Sequence, residues 1–102
     1  MAIRVIMERV AKEGKHQEVL GLLRQLRAKA VFRPGYISGE TLSDPQDPCI
    51  NIVISTWRSP ADWSAWENNP ERMEVVSKLE ELLIAPTKTS VYAQVEEAPY
   101  AK

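Results

Sequence analysis

Three tryptophans, Trp57, Trp63 and Trp66, fall within ten residues of one another. Side chains of that size bury large areas and can serve simply as core and lid. Together they can also wall a flat slot for a planar aromatic ligand. A mostly apolar pocket with a few polar groups is the usual form of a small-molecule site. Asn51 and Ser55 share strand parity with Trp57 and are the candidates for those polar groups. Other reactive types are sparse. His16, the single histidine, is the only residue whose ordinary pKa suits a general base near neutral pH, but it reads as a solvated residue at a helix start. Glu8, Asp62 and Tyr92 are further proton acceptors that form no constellation. Arg9 and Arg72 could hold an anion, yet both read as surface charges. Cys49, the single cysteine, has no internal disulfide partner and reads as an inert, half-buried thiol. One Cys and one His fall short of the three or four ligands of a zinc site, so no metal is expected.

The elements that must position these residues are legible from periodicity. Residues 2–10 (AIRVIMERV) read as a strand rich in β-branched residues. From Lys15 onward, Val19, Leu22, Leu23, Leu26 and Ala30 recur at helical spacing, and Arg33-Pro34-Gly35 ends that helix. Residues 36–42 form a short second strand and 49–57 (CINIVISTW) the clearest one, joined by a proline-punctuated turn. Ser59-Pro60-Ala61-Asp62 carries a cap, a first-turn proline and an acid for the positive helix end. It starts a short helix with Trp63 and Trp66 on one face. Asn69-Pro70-Glu71 starts another, with Met73, Val76, Leu79, Leu82 and Leu83 expected on one face and Glu80-Glu81 solvated. Residues 88–95 read as the last strand, and 96–102 as a loose tail. The order β-α-β-β-α-α-β is the ferredoxin-like split βαβ plan: an α+β fold with a four-stranded antiparallel sheet and helices on one face. Residues 1–95 are expected to form one domain.

Composition narrows the partners. The 102 residues are 44% hydrophobic and 26% charged, with a formal net charge of −1. Interspersed acids and bases leave no footprint for nucleic acid and no basic face for a membrane surface. Arg24, Arg27 and Lys29 read as an exposed helix face. No apolar run is long enough to span a bilayer. The start, Met1-Ala2-Ile3-Arg4, lacks the apolar stretch of a signal peptide, so a cytoplasmic location is expected.

In the third strand Ile50, Ile52 and Ile54 point one way, and Asn51, Val53, Ser55 and Trp57 the other. The first strand also has apolar residues on both sides: Ile3, Val5 and Met7 against Ile6 and Val10. Helices cover only one face of such a sheet. The other would be a large apolar patch, which predicts a two-fold homodimer packed sheet against sheet.

The junction from Ile54 to Trp66 (ISTWRSPADWSAW) and the run Arg33-Pro34-Gly35-Tyr36-Ile37-Ser38-Gly39 resemble antibiotic-biosynthesis-monooxygenase domains, over about residues 2–95. The resemblance implies a dimeric α+β barrel with a ligand pocket between each sheet and its own helices. In the polyketide oxygenases of that group a strand Asn, a strand-end Trp and a helix Tyr line the pocket; Val53, Trp57 and Trp63 stand at those places here. In the haem-degrading members an Asn, a Trp and a His act together; Met7, Trp66 and Val76 stand there. A valine cannot ligate iron, which argues against haem degradation by that arrangement. With the resemblance, Trp57 and Trp66 are the candidates to carry chemistry, and Met7, Val53, Trp63 and Val76 stand around the ligand; Asn51 and Ser55, from the strand face, and Met73, from the helix face, are expected beside them.

The reaction so implied is a monooxygenation without cofactor of an aromatic or quinol-like molecule. The substrate phenol or enol loses a proton, and its anion passes an electron to oxygen. Such a site must be dry, shaped and able to hold the anion. A second reading is a non-catalytic, small-ligand-binding or stress-associated homodimer, motivated by the apolar residues at Met7, Val53 and Val76. Haem binding is a third.

Overall fold

The computed structural model describes residues 1–95; the tail expected over 96–102 lies outside the described residues. Its elements are β1 (Ile3–Val10), α1 (His16–Ala30), β2 (Tyr36–Ser43), β3 (Ile50–Trp57), α2 (Pro60–Glu67), α3 (Pro70–Glu80) and β4 (Lys88–Ala93). The four strands form one antiparallel sheet in the order β2-β3-β1-β4. This is the expected ferredoxin-like α+β architecture. The last strand stops two residues short of the expected end, although Gln94 still donates its N–H to the Ala2 carbonyl at 2.9 Å.

Alternation in β1 and β3 sets which side chains meet the helices. Ile3 is opposite Trp57, Val5 opposite Ser55, Met7 opposite Val53, and Arg9 opposite Asn51. All share one face, since paired residues lie on the same side of a pleated sheet. The interleaved residues, Ile6 with Ile54 and Glu8 with Ile52, lie on the other face, away from the described helices.

Local chemistry fixes the helix starts. The Ser59 hydroxyl accepts the Asp62 N–H at 3.1 Å and donates to the Asp62 carboxylate at 3.0 Å, a reciprocal cap. Asn69 caps α3 by accepting the Glu71 N–H at 2.8 Å, and a proline follows each cap at the first helical position. Gly35 adopts φ +81° before β2, and its carbonyl accepts the Arg58 N–H at 2.8 Å, tying the start of β2 to the end of β3.

The buried face of α3 is rotated from the expected one. Val75, Leu79 and Leu83 are buried, four residues apart, and Leu79 and Leu83 pack with Val19 and Leu23 of α1. Met73 is 56% exposed. Adjacent valines at 75 and 76 allow two stripes, and Val75 is the one buried in line with Leu79 and Leu83. A second cluster joins Ile3, Val5, Met7 and Ala30 to the three tryptophans.

Candidate functional site

Between the sheet and its helices lies a cavity floored by Met7 and Arg9 of β1 and by Val53, Ser55 and Trp57 of β3. Leu23, Leu26, Arg27 and Ala30 of α1 form one wall, and Trp63 and Trp66 of α2 with Arg72 of α3 form another. Tyr36, Gly39 and Thr41 of β2 complete it. About 50 Å³ is open to the centres of water-sized molecules, room for a few waters. A ring-sized ligand therefore enters only as wall side chains give way.

All three tryptophans of the chain belong to this wall. Trp57, 1% exposed, donates its indole N–H to the Ser55 hydroxyl at 3.1 Å. Its ring meets Tyr36 edge to face at 5.3 Å between centroids, and Trp63 in a tilted contact at 5.8 Å. The Arg72 guanidinium lies over the Trp63 ring, 5.2 Å from its centroid, a cation–π contact. At Gly39 a Cβ would fall 2.6 Å from the Tyr36 hydroxyl, so a side chain there requires the Tyr36 side chain to shift.

The structure brings Met7, Val53, Ser55, Trp57, Trp63 and Trp66 together around this cavity. Asn51, Met73 and Val76 are not among its lining residues. Asn51 is buried on the same strand face as Ser55, but at the start of β3. Its amide N–H donates to the Pro48 and Cys49 carbonyls and its side-chain oxygen accepts from Ser43, so it fastens the β2–β3 connection. Met73 faces outward with the rotation of α3, and Val76 is half-buried on that helix.

Three arginines read as surface charges belong to the wall. Arg9 is 3% exposed, Arg72 is half-buried, and Arg27 donates to the Thr41 hydroxyl at 2.8 Å. Parity was the available sign for Arg9: it continues the inward series Ile3, Val5, Met7. Burial pushes the Arg9 pKa down to about 10, helped by the charge of Arg72 and opposed by Glu80. Burial likewise lowers that of Arg72, opposed by Glu67 and Glu80. Glu80 is not solvated as expected, but accepts the Thr87 hydroxyl at 2.6 Å.

Among the described residues no carboxylate or histidine lines the cavity. Asp62 is engaged in its helix cap, Glu8 lies by Lys88 on the opposite sheet face, and Tyr92 is exposed on β4. His16 begins α1, outside the cavity. Desolvation, with Asp47 and Glu13 adding to it, raises the Cys49 thiol above its ordinary pKa, and that residue too lies outside the cavity. No group of three or more His, Cys, Asp or Glu among the described residues is placed to hold a metal ion, and no described helix is long and apolar enough to cross a membrane. The wall offers the aromatic faces of three tryptophans and the guanidinium groups of Arg9, Arg27 and Arg72.

Fold and cavity together define a ferredoxin-like α+β domain with an aromatic-walled pocket between sheet and helices. The sequence pattern of one family, antibiotic biosynthesis monooxygenase, matches residues 2–78, and the chain belongs to that family. Among its relatives, protein SchA of Streptomyces halstedii is 28% identical over 78 residues, covering 76% of this chain and 20% of SchA. The 42.8 kDa protein in the whiE locus of Streptomyces coelicolor is 27% identical over 77 residues, 76% of this chain and 19% of that protein. The chain thus spans about a fifth of the length of both relatives. A conserved protein from Methanosarcina mazei superposes with a TM-score of 0.87 at 22% identity, over 93% of this chain and 94% of that one. SnoaB, a cofactor-independent oxygenase from Streptomyces nogalater, superposes with a TM-score of 0.84 at 12% identity, over 96% and 97%. At these identities the superpositions establish the shared fold.

Proposed function

We propose that the chain is a monooxygenase acting, without metal or prosthetic group, on an aromatic or quinol-like small molecule held between sheet and helices. The observation that carries this reading is the convergence of Trp57, Trp63 and Trp66 on one cavity whose few polar groups include Ser55. Family membership and the fold shared with SnoaB support it. Trp57 and Trp66 are proposed to face the reacting ring, with Met7, Val53, Ser55 and Trp63 shaping the slot. A substrate that supplies all the electrons needs no external reductant. A hydroquinone and dioxygen give the hydroxyquinone and one water: one oxygen atom enters the ring and the other leaves as water. The protein's share is to exclude bulk water and favour the ionised substrate. In solution the chain is proposed to be a homodimer.

Oxygen uptake by pure protein on a panel of hydroquinones and fused-ring phenols, with no cofactor added, tests the reading. Uptake that is stoichiometric with product and lost in Trp57→Phe is the expected result. Uptake no greater than in buffer across the panel overturns it. One observation favours the second reading, a non-catalytic ligand-binding dimer: no carboxylate or histidine among the described residues faces the cavity to take the substrate proton. Saturable binding of the panel without oxygen uptake is the outcome that reading expects.

A further inference from the structure

Arg9 is the least expected residue of the cavity wall. A buried guanidinium normally has a carboxylate against it, because an unpaired charge in a poorly solvated place is costly. Arg9 takes part in no ion pair among the described residues. Its Nε donates to the Thr87 hydroxyl at 3.0 Å and its Nη2 to the Met7 sulfur at 3.6 Å, while its Nη1 is buried with no partner. Glu80 acts on it at one remove, by accepting the Thr87 hydroxyl.

Arg72 brings a second cation to the same place. Its Nη2 donates to the Met7 sulfur at 3.7 Å and its Nη1 to the Glu67 carbonyl at 3.2 Å. Two guanidiniums from different elements thus converge on a thioether, among the weakest acceptors a protein offers. Both residues line the cavity, as does Met7. An ionised oxygen placed beside that sulfur would receive charge-assisted hydrogen bonds from both, which are shorter and stronger than neutral ones.

We infer that this corner is an oxyanion site, and that the ligand is a planar aromatic molecule carrying an anionic oxygen group, received by Arg9 and Arg72 while its ring lies against Trp57 and Trp66. The inference rests on the cavity being an aromatic-ligand site and adds the charge of the ligand to it. It also supplies what the proposed oxygenation lacks. With no carboxylate or histidine in the described wall, the reactive anion is favoured by two fixed cations, and its proton leaves to water.

Naphthoate and its neutral isostere naphthamide, titrated separately by calorimetry at neutral pH, test the site in the unmodified protein. The acid is expected to bind at least about tenfold more tightly than the amide. Arg9→Met should abolish that preference, and Arg9→Lys should restore part of it. Equal affinities of acid and amide for the unmodified protein overturn the oxyanion site but leave the aromatic slot standing. Binding of neither overturns both. A preference for the acid that survives in Arg9→Met and in Arg72→Met overturns the assignment to these two residues. Should Arg9→Met not fold by circular dichroism, Arg72→Met and Arg9→Lys carry the comparison.

Discussion

Ser55 and Trp57 stand two apart on one strand face, and the hydroxyl of the first accepts the indole N–H of the second at 3.1 Å, with both residues buried. Removing the hydroxyl strands a buried donor, which costs about 1–3 kcal/mol. Ser55→Ala should therefore lower the urea midpoint with little change in slope; an unchanged midpoint would show that the indole finds another partner. Arg9 predicts the opposite sign. It has no ion-pair partner among the described residues, and an apolar side chain of similar volume removes the cost of keeping an uncompensated charge away from water. Arg9→Met should thus stabilise the ligand-free protein even as it removes anion binding. The pH dependence follows from its lowered pKa. The folded state holds this proton less tightly than the unfolded chain, so the cost is full below about pH 10 and is relieved only above it. The gain in Arg9→Met should therefore be flat between pH 6 and 9; a gain that varies steeply there would implicate another group. Single-residue legibility followed strand parity. Parity alone places Met7, Val53, Ser55 and Trp57 on the cavity side, and it would have placed Arg9 there too had its charge not been taken as a sign of solvent. Helix phase was less legible, because neighbouring Val75 and Val76 fit two stripes, and Met73 followed the wrong one outward.

Elements were legible where punctuation and period agree. Ser59-Pro60 and Asn69-Pro70 marked two helix starts, and both side chains do cap. The irregular register between Tyr36 and Ser38 was not legible, since a bulge depends on the partner strand and leaves no period of its own. It matters to the site, because it lets Tyr36 stand opposite Trp57 while Gly39 and Thr41 still face the cavity. Two glycines give contrasting predictions at this scale. Gly35 has φ +81°, and a Cβ built on it would lie 2.1 Å from the Asp62 carboxylate oxygen that the Ser59 cap holds. Gly35→Ala combines left-handed strain with displacement of that carboxylate, so a loss of at least about 2 kcal/mol is expected. Gly21 lies inside α1 with open space around its would-be Cβ. Gly21→Ala should raise stability by about 0.5–1 kcal/mol, through backbone entropy and helix propensity. Thermal unfolding of the two variants beside the parent checks both signs, and a stable Gly35→Ala would show that the β2–α2 junction is looser than its geometry.

At the scale of the whole molecule, the cavity occupies one side of the sheet and leaves the other to be accounted for. On that outer face lie Ile6, Ile52 and Ile54, with Leu42 at 46% and Tyr92 at 60% exposure. Four strands about 4.8 Å apart, each rising about 3.3 Å per residue over about eight residues, span roughly 500 Å². Two such faces in contact would bury roughly 1,000 Å², the lower bound for a specific interface, and continuous apolar packing is what an obligate one uses. The proposed homodimer is therefore tested at the centre of this face. Ile54 is flanked by Ile6 on β1 and Glu40 on β2. Ile54→Lys puts a charge into the proposed contact, while Glu40 offers it a cross-strand partner within the protomer, so the single chain has a way to accommodate it. Light scattering behind size exclusion should give twice the chain mass for the parent and the chain mass for Ile54→Lys. The parent's melting temperature should also rise with protein concentration, and the variant's should not, because association stabilises the folded state by mass action. No outer-face residue lines the cavity. A monomeric Ile54→Lys should therefore still prefer naphthoate to naphthamide, separating the assembly of the sheet from the charge of the pocket. A parent that runs as a monomer at every concentration would instead leave the isoleucine face for another partner to cover.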